Sequence, residues 1–308
     1  MSDVKPVRAG WYNVFRPWSL HGAVVPVLIG GAVAWKDGFF NLWIFLLILA
    51  GGCLLQCVAN LFNTYGDFVS GTDTVENHTR APELVKGIIK PKQVFMLGVG
   101  CVAATVLIGI VFIWYIGWGI LWIGLAGIAG AVLYTVGLSY KYYGFGPLSV
   151  FIMMGLLMPI GSYYVLTGGY SWEVVLMSIP NAFMLTGVLC GNETRDYYSD
   201  KEANVKTLSS NFSYENSIRL YLFLNTVSFP FLLAIILFGV VPWTCALAFV
   251  TLIDLRKLVN NSRLAPTNPG CSRLMVPLSF KLNWHFGALL VVGYILNYQQ
   301  GSEVPIEL

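Results

Sequence analysis

Long apolar runs separated by short polar stretches make up most of the chain. Several runs extend for about 20 residues with little or no charge, which is long enough for a helix to cross the hydrocarbon core of a bilayer. The runs are continuous rather than alternating, which disfavours a transmembrane β-barrel. The pattern predicts nine membrane-spanning helices, at residues 19–35, 41–63, 94–116, 118–138, 148–167, 172–191, 218–239, 242–255 and 283–299.

The composition supports this class of protein. Hydrophobic residues make up 56% of the 308 residues and charged residues only 11%, whereas a soluble globular domain carries roughly 25% charged residues. The mean hydropathy is +0.69. We therefore expect an all-α polytopic membrane protein whose nine helices surround a central cavity.

The distribution of Lys and Arg predicts the orientation. With the N-terminus on the cytoplasmic side, 17 of the 18 Lys and Arg residues fall on that side and only Lys36 falls outside. This is a strong positive-inside bias. The net charge of +3 is thus explained by topology and does not indicate nucleic-acid binding. If the protein is bacterial, the inner membrane is the expected location, with the polar clusters facing the cytoplasm.

A single membrane-embedded domain is expected over residues 1–308. Its order of spans and polar segments predicts a tandem repeat, about 15–145 and 146–258, followed by the ninth helix at 283–299. The six cysteines have no spacing typical of a zinc site or a disulfide framework. No obligate protein partner is indicated.

Two polar segments each follow a long apolar run. Seven of the 15 acidic residues lie in or just after these segments: Asp67, Asp73, Glu76, Glu193, Asp196, Asp200 and Glu202. Carboxylates at a membrane boundary are costly, so a functional site is the first interpretation. The alternative is that they merely solvate the ends of two helices.

The first segment places Asn63 and Asp67 four residues apart, which puts both on one face of a helix. Asp73 follows beyond Gly71, so the helix must break to bring it back. In the second segment Asn192, Asp196 and Asp200 also step by four. Carboxylate and amide oxygens suit Mg²⁺, which completes its coordination with water and substrate phosphates. These six residues are the predicted Mg²⁺ ligands.

Cations flank both segments and predict a partner that carries phosphate. Arg80, Lys86, Arg195 and Lys201 are the candidate diphosphate-binding residues, although each is also explained as an interfacial charge. Lys141 lies at an otherwise apolar helix end. It can hold a phosphate, bind an acidic acceptor, or act only as an anchor.

These motifs resemble the two aspartate-rich motifs of the UbiA superfamily of intramembrane aromatic prenyltransferases. The stretches 16–30 and 161–168 are similar to the branch that prenylates 1,4-dihydroxy-2-naphthoate in menaquinone biosynthesis, and the resemblance covers about residues 10–298. Two positions depart from many relatives. Thr64 stands where they carry Asp, and Pro147 stands where naphthoate enzymes carry Asp or Glu.

The resemblance implies an Mg²⁺-dependent transferase that moves a polyprenyl group from polyprenyl diphosphate to a small aromatic acceptor. Dihydroxynaphthoate is the expected acceptor, with release of diphosphate and CO₂ and formation of demethylmenaquinone. Asp67 and Asp196 are then the central carboxylates. Lys141 and the aromatic Tyr134 are the other candidate catalytic residues; Tyr134 or Tyr140 can orient the acceptor ring.

Two alternatives stay open. The acceptor can be 4-hydroxybenzoate, homogentisate or another small aromatic compound. More distantly, tandem repeats and intramembrane charge also occur in secondary transporters, but those carry their polar residues near the membrane midplane.

Overall fold

The chain folds into a bundle of long helices. The computed structural model describes residues 10–71, 73 and 82–299. Within that part, seven helices are long and apolar enough to cross a membrane: Trp11–Lys36, Leu42–Val69, Pro91–Ile116, Gly146–Thr167, Trp172–Arg195, Tyr214–Leu237 and Pro269–Tyr298. The predicted all-α class is confirmed, and the chain is an integral membrane protein.

The first half of the bundle carries the first acidic segment at the end of its longest helix. Its elements are α1 (Trp11–Phe15), α2 (His21–Lys36), α3 (Leu42–Val69), α4 (Pro82–Val85), α5 (Pro91–Ile116) and α6 (Gly119–Leu133). A 3₁₀ turn, Pro17–Ser19, joins α1 to α2, and a second one, Tyr140–Tyr142, follows α6.

The second half carries the second acidic segment at the junction of two helices. Its elements are α7 (Gly146–Ser149), a π-helical stretch (Val150–Leu157), α8 (Met158–Thr167), α9 (Trp172–Arg195), α10 (Tyr197–Glu202) and α11 (Tyr214–Leu237). A 3₁₀ segment (Trp243–Thr251) then leads into α12 (Leu252–Leu264), and α13 (Pro269–Gln299) closes the bundle.

Two predicted spans correspond to helices that are not of ordinary transmembrane form. Helix α6 has 15 residues and is therefore about 22 Å long at 1.5 Å per residue. The nine residues Trp243–Thr251 form a 3₁₀ helix, whose greater rise of about 2.0 Å per residue lengthens this short segment. Both lie where the fourth and eighth spans are predicted. The count of nine spans, the tandem repeat and the cytoplasmic N-terminus remain predictions.

Two close helix approaches bring the acidic segments into the bundle. A Cβ at Gly66 would lie 2.4 Å from Thr135 Cγ2, and a Cβ at Gly191 would lie 2.8 Å from a ring carbon of Tyr221. Each glycine directly precedes a predicted ligand, Asp67 or Asn192. The absence of a side chain therefore lets α3 and α9 carry those ligands against their neighbours.

The orientation leads to a direct expectation. A reporter fused after Leu308 is expected to read as external, and one inserted at the exposed residue Asn204 as cytoplasmic, because three predicted spans (218–239, 242–255 and 283–299) separate the two positions. Accessibility of single reporters in sealed vesicles measures this. Finding both positions on one side would rule out nine spans and would remove 242–255 as a span.

Candidate active site

A cavity of about 610 Å³ lies inside the bundle, and both acidic segments line it. Eight of the residues singled out from the sequence border this one space: Asn63, Asp67, Tyr134, Lys141, Asn192, Arg195, Asp196 and Asp200. They come from α3, the α6–α7 connection and the α9–α10 junction. Residues 129 positions apart in the chain, such as Asp67 and Asp196, thus face the same cavity.

Asp67 lies at the centre of a compact hydrogen-bonded group. Its carboxylate is 1% exposed and accepts hydrogen bonds from Lys141 Nζ and, over 2.6 Å, from the hydroxyl of Tyr142. In the amide orientation that satisfies both neighbours, Asn63 donates to Asp67 Oδ2 over 3.1 Å and accepts from Lys141 Nζ over 2.8 Å. The helical spacing of four residues makes this contact possible.

Lys141 owes its position to the turn after α6. The residue is 8% exposed, and its backbone N–H donates to the carbonyl of Tyr134 over 3.2 Å. The ammonium lies 4.8 Å from the ring centroid of Tyr142 and 5.8 Å from that of Tyr134. Lys141 therefore places a buried positive charge between a carboxylate and two aromatic faces, an arrangement that stabilises the cation.

Tyr134 and Tyr140 have different surroundings. Tyr134 lines the cavity. The hydroxyl of Tyr140 instead lies 2.6 Å from both the Gly130 carbonyl, to which it donates, and Ser149 Oγ. Burial raises the pKa of Tyr140, so its phenol stays protonated at neutral pH. The geometry favours Tyr134 over Tyr140 as the tyrosine that meets a ligand.

The second acidic segment spans a break between two helices. Helix α9 ends at Arg195, and Asp196 (φ −95°, ψ 10°) separates it from α10. Backbone bonds from Asp196 N to Asn192 O (3.1 Å) and from Asp200 N to Asp196 O (2.8 Å) keep the spacing of four across the break. The segment thus forms two consecutive helices joined at Asp196 rather than one continuous helix. The side chains of Asn192, Asp196 and Asp200 nevertheless all line the cavity.

Arg195 forms a fork-like pair with its neighbour. Its Nε donates to Asp196 Oδ1 over 2.9 Å and its Nη2 donates to Asp196 Oδ2 over 2.6 Å. Such bidentate contacts are strong and hold the carboxylate in one orientation. A cation and a carboxylate are thereby fixed together at the polar end of the cavity.

Away from these groups the cavity is apolar. Its wall is formed by aliphatic, methionine and glycine residues of α3, α5, α6, α8 and the π-helical stretch, among them Gly52, Leu55, Ile108, Gly124, Met153 and Met158. A polar mouth followed by an apolar interior fits a ligand with an anionic head and a hydrocarbon tail.

Comparison with known proteins shows the family to which the chain belongs. The family model of the UbiA prenyltransferase family matches residues 23–270. The chain belongs to the UbiA prenyltransferase family. The resemblance read from its motifs is therefore confirmed, and the chain is a UbiA-type prenyltransferase.

Curated relatives of this UbiA protein match over nearly their whole length. The 1,4-dihydroxy-2-naphthoate octaprenyltransferase of Bacillus subtilis is 28% identical over 291 residues, which cover 93% of this chain and 92% of the relative. UbiA prenyltransferase domain-containing protein 1 of Danio rerio is 31% identical over 306 residues, covering 97% and 88%.

Solved structures show the same fold at low identity. The apo structure of a UbiA homolog from Aeropyrum pernix K1 gives a TM-score of 0.67 at 14% identity and covers 90% of this chain and 98% of that one. A UbiA homolog from Archaeoglobus fulgidus bound to DMAPP and Mg²⁺ gives 0.54 at 14% identity, covering 91% and 99%.

The donor set of this UbiA chain fits Mg²⁺ when the ion also binds substrate. Within residues 10–71, 73 and 82–299, no group of three or more His, Cys, Asp or Glu side chains forms a ready-made metal cluster. The cavity instead offers carboxylates and amides from two separate segments. Mg²⁺ is typically held by one or two carboxylates together with water and phosphate oxygens, so divided donors around a cavity meet its requirement.

Three predicted residues that the structure describes are not brought to the cavity wall. Asp73 is buried, and its N–H donates to the Asp67 carbonyl over 3.1 Å, but it does not line the cavity. Lys86 is exposed on the loop after α4. Lys201 donates to the Tyr197 hydroxyl over 2.7 Å and lies over that ring. Arg80 lies outside the described residues.

Several further polar residues border the cavity and were given no role from the sequence, among them Arg16, Asn60 and Tyr142. Arg16 adopts a left-handed backbone conformation (φ 51°) and donates from Nη2 to Thr64 Oγ1 over 3.3 Å. A strained non-glycine backbone often accompanies function. The available signals were an arginine just before the first span and an asparagine seven residues before Asp67.

Proposed function

We propose that this UbiA family member transfers a polyprenyl group from polyprenyl diphosphate to 1,4-dihydroxy-2-naphthoate, with release of diphosphate and CO₂, giving demethylmenaquinol, the reduced form of demethylmenaquinone. The observation that carries the proposal is the single cavity with both acidic segments at its polar end and an apolar remainder. The relative from Bacillus subtilis, a 1,4-dihydroxy-2-naphthoate octaprenyltransferase, supports this acceptor.

Asn63 and Asp67 on one side, and Asn192, Asp196 and Asp200 on the other, are the residues we assign to Mg²⁺. When bound, Mg²⁺ neutralises charge on the diphosphate as it departs. The UbiA homolog from Archaeoglobus fulgidus bound to DMAPP and Mg²⁺ supports the assignment. We assign Asp73 an indirect role: its backbone N–H donates to the carbonyl of Asp67 and supports the backbone at that metal ligand.

Cations of the chain complete the site for the leaving group. Of the predicted diphosphate-binding residues, Arg195 lines the cavity beside Asp196, and Lys141 adds an ammonium beside Asp67. Fixed charges in a water-poor pocket stabilise developing negative charge without reorganisation. We assign both side chains to the diphosphate oxygens. Lys86 and Lys201 do not line the cavity, and Arg80 stays a candidate from the sequence alone.

The bond changes follow from this arrangement. The bond between the terminal prenyl carbon and the diphosphate oxygen breaks, and its electron pair leaves with diphosphate. The allylic cation is shielded from water by the apolar wall, and the ring of Tyr134 offers it an electron-rich face. A ring carbon of the acceptor then bonds to the prenyl carbon, and the acceptor loses CO₂ and a proton.

Pro147 is the reason to keep a second class of acceptor. Pro147 is buried at the start of α7 and has no ionisable group, so it cannot replace the acid that naphthoate enzymes usually carry there. 4-Hydroxybenzoate, homogentisate or another small aromatic compound is the alternative acceptor. A transporter fits less well, since the ionisable cavity residues lie at the ends of α3 and α9 rather than near their middles.

Product analysis tests the proposal. Purified protein in detergent or vesicles is offered geranyl, farnesyl and longer polyprenyl diphosphates with Mg²⁺ and a panel of aromatic acids. We expect mass spectrometry to find prenylated, decarboxylated product from dihydroxynaphthoate and none after EDTA treatment. A product from another phenol alone would overturn the acceptor assignment, and no transfer to any acceptor would overturn the proposed reaction.

A further inference from the structure

Glu193 lines the cavity but does not belong to the stripe of predicted metal ligands on α9. It directly follows Asn192, so at about 100° per residue its side chain leaves the helix on a different face from Asn192 and from Asp196, four positions on. The residue is 6% exposed. A buried carboxylate is costly unless its oxygens meet partners, so the surroundings of the two oxygens of Glu193 indicate its role.

One oxygen of Glu193 is fixed to a neighbouring turn. The backbone N–H of Ser209 donates to Oε2 over 3.1 Å, and the Ser209 hydroxyl donates to the same oxygen over 2.9 Å. Ser209 is buried and begins the 3₁₀ turn Ser209–Asn211. Hydrogen bonds to an ionised acceptor are stronger than neutral ones, so this pair holds the carboxylate in one orientation. The direction of the other oxygen, Oε1, follows from it.

Oε1 lies against the start of α7, where Gly146 has no side chain. A Cβ at Gly146 would lie 3.4 Å from Glu193 Oε1 and 3.3 Å from the hydroxyl oxygen of Tyr134. Leu189, four residues before Glu193 and therefore on the same face of α9, has its Cδ2 3.3 Å from that position. The carboxylate of α9 and the phenol that follows α6 thus flank one small space, and both line the cavity.

The charge of Glu193 decides which substrate suits this part of the wall. Pro147, which follows Gly146 in α7, brings neither charge nor an N–H, so the carboxylate here comes from α9. A ring hydroxyl of an aromatic acceptor donates to such an oxygen. A diphosphate, or the acceptor's own carboxylate, carries negative charge and is repelled by it. The acceptor is therefore oriented with a hydroxyl toward Glu193 and its carboxylate away.

We infer that Glu193 binds the aromatic acceptor: its Oε1 accepts a hydrogen bond from a ring hydroxyl and orients the ring beside Tyr134. This rests on the proposed function, because the ligand is the acceptor of that reaction. A site built to hydrogen-bond a hydroxyl discriminates against an analogue that cannot donate, since its own polar group is then left without a partner. Glu193 thus selects acceptors that carry a free hydroxyl at this edge of the ring.

A comparison of ligands and variants tests this role. Purified protein is loaded with Mg²⁺ and geranyl thiolodiphosphate, a donor that does not react. Dihydroxynaphthoate and each of its two monomethyl ethers are then titrated, and intrinsic tryptophan fluorescence reports binding. The ratio of the affinities for dihydroxynaphthoate and the weaker ether is taken within each variant, so a general loss of affinity cancels. Thermal unfolding shows that each variant is folded.

We expect a ratio of about tenfold in the wild type, the effect of one hydrogen bond to a charged group. In Glu193→Gln it is expected to fall to about threefold, because a neutral oxygen accepts a bond roughly half as strong. In Glu193→Leu, which has no acceptor atom, we expect a ratio near one. The matched control is Ser209→Ala, which removes one hydrogen bond to Oε2 and leaves Oε1 in the cavity, and its ratio is expected to equal that of the wild type.

Three results would overturn the inference. Equal ratios in the wild type and Glu193→Leu would limit Glu193 to holding the turn at Ser209, while the proposed function stands. Weaker Mg²⁺-dependent binding of geranyl thiolodiphosphate by Glu193→Gln, with an unchanged ratio, would assign Glu193 to the donor site instead. A wild-type protein that binds the donor analogue but not dihydroxynaphthoate would overturn the proposed acceptor and this role together.

Discussion

Replacing Asp67 or Asp196 by asparagine is expected to lower kcat by roughly 100-fold or more, the effect of removing a group that stabilises charge at a reacting centre. Both carboxylates are buried against the cavity, at 1% and 7% exposure. Asparagine keeps the shape of the side chain and removes its charge. Steady-state prenyl transfer measured across a series of Mg²⁺ concentrations is the test, and saturating Mg²⁺ is expected to restore only part of the activity.

The matched control is Asp254→Asn. Asp254 also pairs with a cation, since Lys281 Nζ lies 3.1 Å from its carboxylate, and His285 Nδ1 lies 2.7 Å from it, but Asp254 does not line the cavity. We expect this variant to keep wild-type kcat and Mg²⁺ dependence. Activity close to wild type in Asp67→Asn or Asp196→Asn at limiting Mg²⁺ would contradict the assignment of both segments to the metal.

The long-range arrangement of the fold was predictable where the pattern is strong. The apolar runs give the helices because each must bury its backbone hydrogen bonds within the membrane. The two acidic segments point to one site because each follows a run of the same kind. The less regular segments were not predictable: the π-helical stretch Val150–Leu157 and the 3₁₀ segment Trp243–Thr251 depend on packing that no local pattern encodes.

The same limit applies to the candidate site. The spacing of four residues is enough to predict that Asn63 and Asp67 lie side by side on a helix. The contact of Lys141 with Asp67 spans 74 residues and depends on how the turn after α6 folds. Tyr142 was missed for that reason. Lys201 shows the converse: it lies four residues after Tyr197 on α10, and this local pairing directs its ammonium to the Tyr197 hydroxyl rather than to the cavity.

The ion pair between Lys141 and Asp67 leads to the second large effect. Lys141→Met removes the ammonium and leaves a carboxylate that is 1% exposed without that counter-charge. Breaking a buried ion pair from one side typically costs about 3–5 kcal/mol. Asp67 keeps its hydrogen bonds from Tyr142 and Asn63, so we expect a loss of about 3 kcal/mol. Thermal unfolding of the variant in detergent with EDTA is the measurement.

Mg²⁺ alone is expected to narrow that difference. A divalent ion near Asp67 supplies the positive charge that the variant lacks, so adding Mg²⁺ without donor stabilises Lys141→Met more than wild type. The KM for the prenyl diphosphate is expected to rise more than the KM for the acceptor, since the ammonium lies on the Asp67 side of the cavity.

Tyr142→Phe separates charge from hydrogen bonding in this prediction. It removes one 2.6 Å hydrogen bond to Asp67 and leaves every charge in place, so its cost is expected to be about 1 kcal/mol and to be the same with and without Mg²⁺. If the stability lost in Lys141→Met is likewise the same with and without Mg²⁺, the ammonium and the metal do not both interact with Asp67. If its acceptor KM alone rises, Lys141 belongs to the acceptor site, and the pair with Asp67 serves to hold the lysine in place for that role.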